Sequence, residues 1–238
     1  MSVLEAQDLI KIYGERKVVN GVSLRVDPGE IVGLLGRNGA GKTTTFKAIV
    51  GLVRVEGGTI SLKSTDITNL PVYLRARMGM GFLSQEPSVF QRLTVEQNLL
   101  AILELIKADH RKEQAHSLLE EYGLAKLAKQ KAYTLSGGEK RRLEICRSIL
   151  THPAIILLDE PFAGVDPIAV SDLQGLIKQL KQKGISVLLT DHNVRETLQV
   201  TDRAYIINEG QVLAHGSRQE LLDNPLVREK YLGQNFQI

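Results

Sequence analysis

Ile31-Val32-Gly33-Leu34-Leu35-Gly36-Arg37-Asn38-Gly39-Ala40-Gly41-Lys42-Thr43-Thr44 decides the reading of this chain. A short apolar run ends in a glycine-rich turn, and a helix-forming segment, Phe46-Lys47-Ala48-Ile49-Val50, follows. Strand, loop and helix occur in the order that a phosphate-cradling loop requires. Glycines at 36, 39 and 41 let the backbone wrap closely with its N–H groups turned inward, and the helix behind them offers the positive end of its dipole. Lys42 is placed to neutralise β- and γ-phosphate oxygens, and Thr43 carries a hydroxyl in position to ligate a Mg²⁺ that bridges them. Arg37, Asn38, Ala40 and Thr44 complete the loop.

Outward from this loop, apolar runs at residues 30–35, 80–84, 154–158 and 185–190 read as strands buried on both faces, with helical patterns between them, which is the signature of an α/β layer. The first thirty residues alternate polar with apolar and carry turn signals at Tyr13-Gly14 and Asp27-Pro28-Gly29, as an antiparallel sheet beside the parallel one would. Residues 57–62 add another such strand. From 87 to 134 the pattern is helical, because Thr94 followed by Gln97 forms a capping pair ahead of an apolar run. Ser136-Gly137-Gly138-Glu139 repeats that pair before a helix with apolar residues at Leu143, Cys146, Ile149 and Leu150. The expected organisation is one domain over 1–238: an α/β core with its antiparallel β subdomain from 1–86 and 151–238, and a helical subdomain inserted at 87–150.

Bulk properties narrow the function classes. The 238 residues, 43% of them apolar, suffice for a sizeable core, and a net charge of +3 spread along the chain does not indicate nucleic-acid binding. The densest basic run, Lys140-Arg141-Arg142, reads as a solvated helix face. A single cysteine, Cys146, excludes an intramolecular disulfide framework and reads as an inert core residue. The N-terminal stretch lacks the pattern of a signal peptide, and no apolar run approaches the ~18 residues that span a bilayer. A soluble cytoplasmic protein is expected.

Residues 154–160, Ala-Ile-Ile-Leu-Leu-Asp-Glu, end a buried strand in two adjacent carboxylates, the form of a Walker B segment. Successive strand residues face opposite ways, so the two acids can take separate tasks. Asp159 is expected to hold metal through water and Glu160 to act as general base on the attacking water. A second buried strand ends in Asp191-His192, where the histidine can reach the γ-phosphate or that water. Gln85, at the border of the layer and the helical insert, can offer its amide to metal or water.

With Leu135-Ser136-Gly137-Gly138-Glu139 added, the chain resembles ABC transporter ATPases over essentially its full length. The resemblance implies the P-loop NTPase fold, ATP and Mg²⁺ as ligands, and ATP hydrolysis. It also implies a head-to-tail homodimer that sandwiches two ATP molecules, the signature at 135–139 of one copy meeting the nucleotide held by the other. Tyr13 would stack on adenine, Asp166 in Ala163-Gly164-Val165-Asp166-Pro167 would couple the two sites, and His192 would be the switch histidine. The chain departs from many relatives at Glu139, where they carry Gln, and at Arg37, where they have Pro or Ser. The output would pass to integral-membrane subunits through a groove near Gln85, with Phe90, Leu93 and Leu99 as docking residues or, equally, as subdomain core.

Within the family the chain is most similar to ATPases of lipopolysaccharide-export (Lpt) systems, on the strength of residues 161–167 and 190–198 and the tail Tyr231-Leu232-Gly233-Gln234-Asn235-Phe236. That resemblance implies membrane subunits of the LptF/LptG kind and a peripheral place on the cytoplasmic face of the inner membrane. Branched-chain amino-acid import ATPases share the Tyr-Leu-Gly element and are the alternative. A soluble non-transport ABC ATPase acting on nucleic acid or ribosomes usually carries two cassettes or a coiled-coil insert, and this chain shows neither. A nucleotide sensor without turnover would be preferred only if Glu160 or His192 were replaced.

Overall fold

The computed structural model describes residues 1–86 and 88–233. The alternating N-terminal stretch forms β1 (Leu4–Tyr13) and β2 (Arg16–Val26), an antiparallel pair whose inward side chains, among them Leu4, Leu9, Val22 and Val26, are buried. β3 (Ile31–Gly36) is buried along its whole length and feeds α1 (Lys42–Val50). β4 (Gly57–Leu62) returns to pair antiparallel with β1 and carries the short β5 (Thr65–Asp66). After α2 (Val72–Arg77) and β6 (Met80–Leu83) come three helices, α3 (Val95–Leu105), α4 (Arg111–Glu121) and α5 (Gly137–Ile149). The chain then alternates through β7 (Ile155–Asp159), α6 (Pro167–Gln182), β8 (Ser186–Thr190) and α7 (Val194–Val200). It closes with the hairpin of β9 (Arg203–Asn208) and β10 (Gln211–Ser217), followed by α8 (Arg218–Asp223).

Two sheets result, in the orders β2-β1-β4-β5 and β10-β9-β3-β8-β7-β6. In the second, β9, β3, β8, β7 and β6 are mutually parallel and β10 is the antiparallel edge. Parallel strands covered on both faces explain the unbroken apolar runs of the sequence. One face packs on α1 and the antiparallel sheet, through Phe46, Ile49, Leu4 and Ile60, while the other packs on the helices. The pairing of Leu34 with Thr190 and of Asp159 with Thr190 brings the ends of β3, β7 and β8 side by side. Such sheets place ligands outside the carboxyl ends of their strands.

Both capping pairs form as expected: Thr94 and Ser136 accept from the N–H of Gln97 and Glu139, whose side chains return to the cap N–H. The helical insert has no core of its own, because Val95, Leu99, Leu103 and Leu119 belong to the same buried cluster as Ile156 and Leu158 of β7. Leu99 is 0% exposed, so the docking role considered for it does not hold. Its place on α3 turns it toward α5 and the sheet. The boundary expected at 87 falls outside the described residues. Of the tail, Tyr231 accepts a hydrogen bond from the Gly36 N–H at 3.1 Å, while Gln234, Asn235 and Phe236 lie outside the described residues.

Candidate nucleotide site

The loop after β3 owes its shape to contacts that only small residues permit. Gly41 caps α1 with φ 103°, and a Cβ there would come within 2.6 Å of the Val18 carbonyl oxygen. Gly36 lies so close to β9 that a Cβ would collide with the Ile207 carbonyl. Behind the loop, the Gly210 N–H of the β9–β10 turn donates to the Ala40 carbonyl at 2.9 Å. Helix α1 begins at Lys42, four residues earlier than the sequence pattern suggested, and its first turn holds no acid. The dipole end and free N–H groups are thus left for an anion.

Lys42 is buried, and its Nζ donates to the carbonyls of Gly36 at 2.7 Å and Arg37 at 3.1 Å. Burial holds its ammonium below the usual lysine range, opposed by the charges of Glu160 and Asp191. Among the described residues no carboxylate forms an ion pair with it. Arg37, Asn38 and Gly39 are exposed at the rim, Ala40 is buried, Thr43 is exposed and Thr44 half-buried.

At the end of β7 the two acids separate as strand geometry requires. Asp159 is buried, and burial first, then the Glu160 charge, pushes its carboxyl above the usual aspartate range. Glu160 takes a positive φ of 46°, a strained conformation for a non-glycine residue, and its N–H is fixed by the Thr190 carbonyl at 2.8 Å. Its Oε2 accepts from Gln85 Nε2 at 3.0 Å and lies 3.5 Å from His192 Nδ1. His192 is itself exposed, its side chain at 59%, and its Nδ1 also lies 3.4 Å from Asp191 Oδ1. Gln85 therefore meets Glu160 here, with its amide oxygen left over for metal or water. Asp191, wholly buried, accepts from the N–H of Phe162 at 2.9 Å and of Asn193 at 2.8 Å and so ties the segments after β7 and β8 together.

These groups fit a hydrated divalent cation in character. Asp159 is a buried carboxylate destabilised by burial, and the exposed Thr43 hydroxyl sits in the first turn of α1. Among the described residues no three His, Cys, Asp or Glu side chains form a metal cage.

The signature segment divides in two. Ser136 and Gly137 are exposed, with Ser136 Oγ accepting from the Glu139 N–H at 3.3 Å, and they present the start of α5 outward. Leu135 is buried in the core, where it anchors the turn and cannot touch a nucleotide. Gly138 has a packing reason: its Cβ would stand 3.2 Å from that of Ala169, so α5 and α6 approach closely there. Asp166 is the N-cap of α6, accepting from the N–H groups of Ile168 and Ala169 at 3.1 and 3.0 Å.

The basic run after the signature is not a solvated face. Arg141 is buried, donating to Glu144 Oε2 and to the Ser84 carbonyl, both at 2.9 Å, and Arg142 pairs with Asp172 of α6. Helical rotation turns position 141 toward β6 and β7, where Glu144, one turn on, satisfies it. Phe90 is 44% exposed, with the Arg147 guanidinium 4.3 Å from its ring centroid, and Leu93 is half-buried. Tyr13 is exposed at the end of β1, with Lys11 Nζ 5.2 Å from its ring centroid. Cys146 is buried and its thiol pushed up by burial, consistent with an inert role.

Sequence reasoning missed Gly210, Val18, Asp191 and Arg141 as supports of the site. For Gly210 a signal existed in the Asn208-Glu209-Gly210 turn; the others act by contacts between distant segments.

The pattern described as ABC transporter matches residues 19–163. The lipopolysaccharide export system ATP-binding protein LptB of Acidithiobacillus ferridurans is 54% identical over 238 residues, covering 99% of both chains. Its Escherichia coli counterpart is 49% identical over 241 residues, covering 100% of both. Among solved structures, an ATP-binding cassette of an ABC transporter in its ADP conformation superposes with a TM-score of 0.87 at 31% identity, covering 98% of this chain and 100% of the other.

Proposed function

This chain belongs to the ABC transporter family as an ATP-binding subunit, and from that premise we propose that it powers lipopolysaccharide export as the ATPase of an Lpt-type machine. Support for the cargo comes from its likeness, along the whole chain, to proteins named for that system. No helix among the described residues is long and apolar enough to cross a membrane. The chain acts as a peripheral subunit on the cytoplasmic face of the inner membrane, joined to membrane subunits of the LptF/LptG kind.

The observation that carries the catalytic reading is the cluster at the strand ends: buried Lys42 held by the Gly36 and Arg37 carbonyls, with Glu160 held between Gln85 and His192. ATP phosphates enter the loop at 36–44 and take the N–H groups of the first turn of α1, while Lys42 exchanges loop carbonyls for β/γ oxygens. Tyr13 stacks on the adenine. Mg²⁺, when bound, would draw charge from those oxygens, with Thr43, Gln85 and, through water, Asp159 as its protein-side partners. Glu160 accepts the proton of the attacking water, and His192, swinging on its exposed loop, hydrogen-bonds the γ-phosphate.

The exposed Ser136-Gly137 turn of a second copy completes each site, with Gly138 and Glu139 behind it and Asp166 linking the two sites. Closure on ATP and release after hydrolysis give a two-state switch. The membrane subunits receive it through the surface around Phe90 and Leu93. Copurification from detergent-solubilised membranes tests this reading. The wild-type chain should bring down two LptF/LptG-like proteins, and Phe90→Asp should lose them while ATP hydrolysis by the isolated chain persists. Recovery of amino-acid importer subunits instead would replace the cargo and leave the chemistry standing.

A further inference from the structure

Arg75 lies on α2, away from the reacting groups, yet it is only 2% exposed. Its Nε donates to the Leu70 carbonyl at 2.8 Å, Nη1 to the carbonyls of Ala48 and Ile49 at 2.8 and 2.6 Å, and Nη2 to that of Thr68 at 2.9 Å. All four acceptors are backbone oxygens, and the neighbouring acid Asp66 acts on it only through space. Burial lowers the guanidinium to about 10, opposed by the charge of Asp66. Room for it is made by Gly51, the C-cap of α1, where a Cβ would come within 2.7 Å of Arg75 Nε.

Ala48 and Ile49 belong to the last turn of α1, whose first turn carries Lys42 and Thr43. A buried cation on those carbonyls meets the negative end of the helix dipole, and it shares the Ala48 carbonyl with the Gly51 N–H, which donates to it at 3.1 Å. The apolar side of α1, through Phe46, Ile49 and Val50, is held by contacts with no directional preference. Directional hydrogen bonds to its last turn add to that packing in fixing rotation about the axis and position along it. A helix of this length spans roughly 13 Å and behaves as a short rod, so a shift at one end appears at the other.

We infer that Arg75 is a positioning residue for the nucleotide site: its grip on the last turn of α1 sets where Lys42 and Thr43 meet the phosphates. The inference rests on α1 being the phosphate-binding helix. A lysine at 75 keeps the charge but cannot reproduce a planar fork across four carbonyls. Misplacement of a binding group by 1 Å can cost on the order of 10²-fold, so a partial slip of α1 should cost about tenfold.

Mg-ADP and Mg-ATP affinities of Arg75→Lys, measured well below its Tm, should weaken by about tenfold. Affinities within about twofold of wild type, even with a lowered Tm, would reduce Arg75 to a structural residue. Should the variant fail to fold, hydrogen exchange on the unaltered protein decides the matter. Linkage is reciprocal, so Mg-ADP must raise protection across residues 66–79 if Arg75 couples that segment to the loop. Unchanged protection there, with protection gained at 36–46, would overturn the inference. Lys42→Ala separates this from failure of the site reading. Loss of binding in Lys42→Ala but not in Arg75→Lys sinks the inference alone, whereas intact binding in Lys42→Ala sinks the site itself.

Discussion

Replacing Glu160 by glutamine removes a proton acceptor and very little else. The side chain keeps its length, and its amide oxygen can still accept from Gln85 Nε2, now 3.0 Å from Oε2. The positive φ of 46° is equally strained for either residue, on the order of 1–2 kcal/mol, so that cost cancels. Two charge effects oppose one another: Asp159 loses a like-charged neighbour and Lys42 loses an opposite one. The net change in stability should therefore stay within ~0.5 kcal/mol. Loss of a general base is worth ~10² to 10⁴ in rate, about 3 to 5 kcal/mol in the barrier. Phosphate release at saturating Mg-ATP should fall by that factor while Tm and Mg-ATP affinity remain near wild type. Accumulation of an ATP-bound dimer, read by light scattering, should accompany the loss. Turnover within tenfold of wild type, in a variant of unchanged stability, would falsify the assignment of Glu160 as base.

Other substitutions separate packing from chemistry. Gly41→Ala must hold φ 103° and force its Cβ against the Val18 carbonyl, so Tm should fall by several degrees and nucleotide binding should be lost together; calorimetry and a binding titration read both. Leu99→Ala empties a wholly buried site and should cost about 2–5 kcal/mol in denaturant unfolding, yet the folded fraction should still recover membrane subunits.

Much of this molecule could be read from local pattern, and the reasons differ by element. β4 matched its expected residues because a glycine pair and an alternating run bound it on one side. The phosphate loop was legible because its chemistry forces small residues and a lysine into one contiguous stretch. β9 and β10 went unread, although β9 is a direct neighbour of β3, because Arg203 and Tyr205 interrupt the apolar run and find their partners, Glu30 and Arg25, far away in sequence. Arg141 misled for the same physical reason. A charge run looks solvated unless the acid that buries it, Glu144, and the carbonyl it reaches, Ser84, are known. The docking residues split likewise: no local signal told exposed Phe90 from buried Leu99, since helix orientation decides between them.

In the proposed function each ATP is cleaved between the glycine loop of one copy and the Ser136 turn of another. Complementation between two inactive variants tests it most directly. Lys42→Ala lacks the loop cation and keeps its signature, while Ser136→Ala does the reverse. In a mixed head-to-tail dimer one composite site carries both defects and the other carries none. Random mixing makes half the dimers mixed, each with one intact site of two, so equimolar protein should recover about one quarter of wild-type turnover. Turnover no greater than the sum of the two variants alone, with mixed dimers shown to form, would contradict the claim.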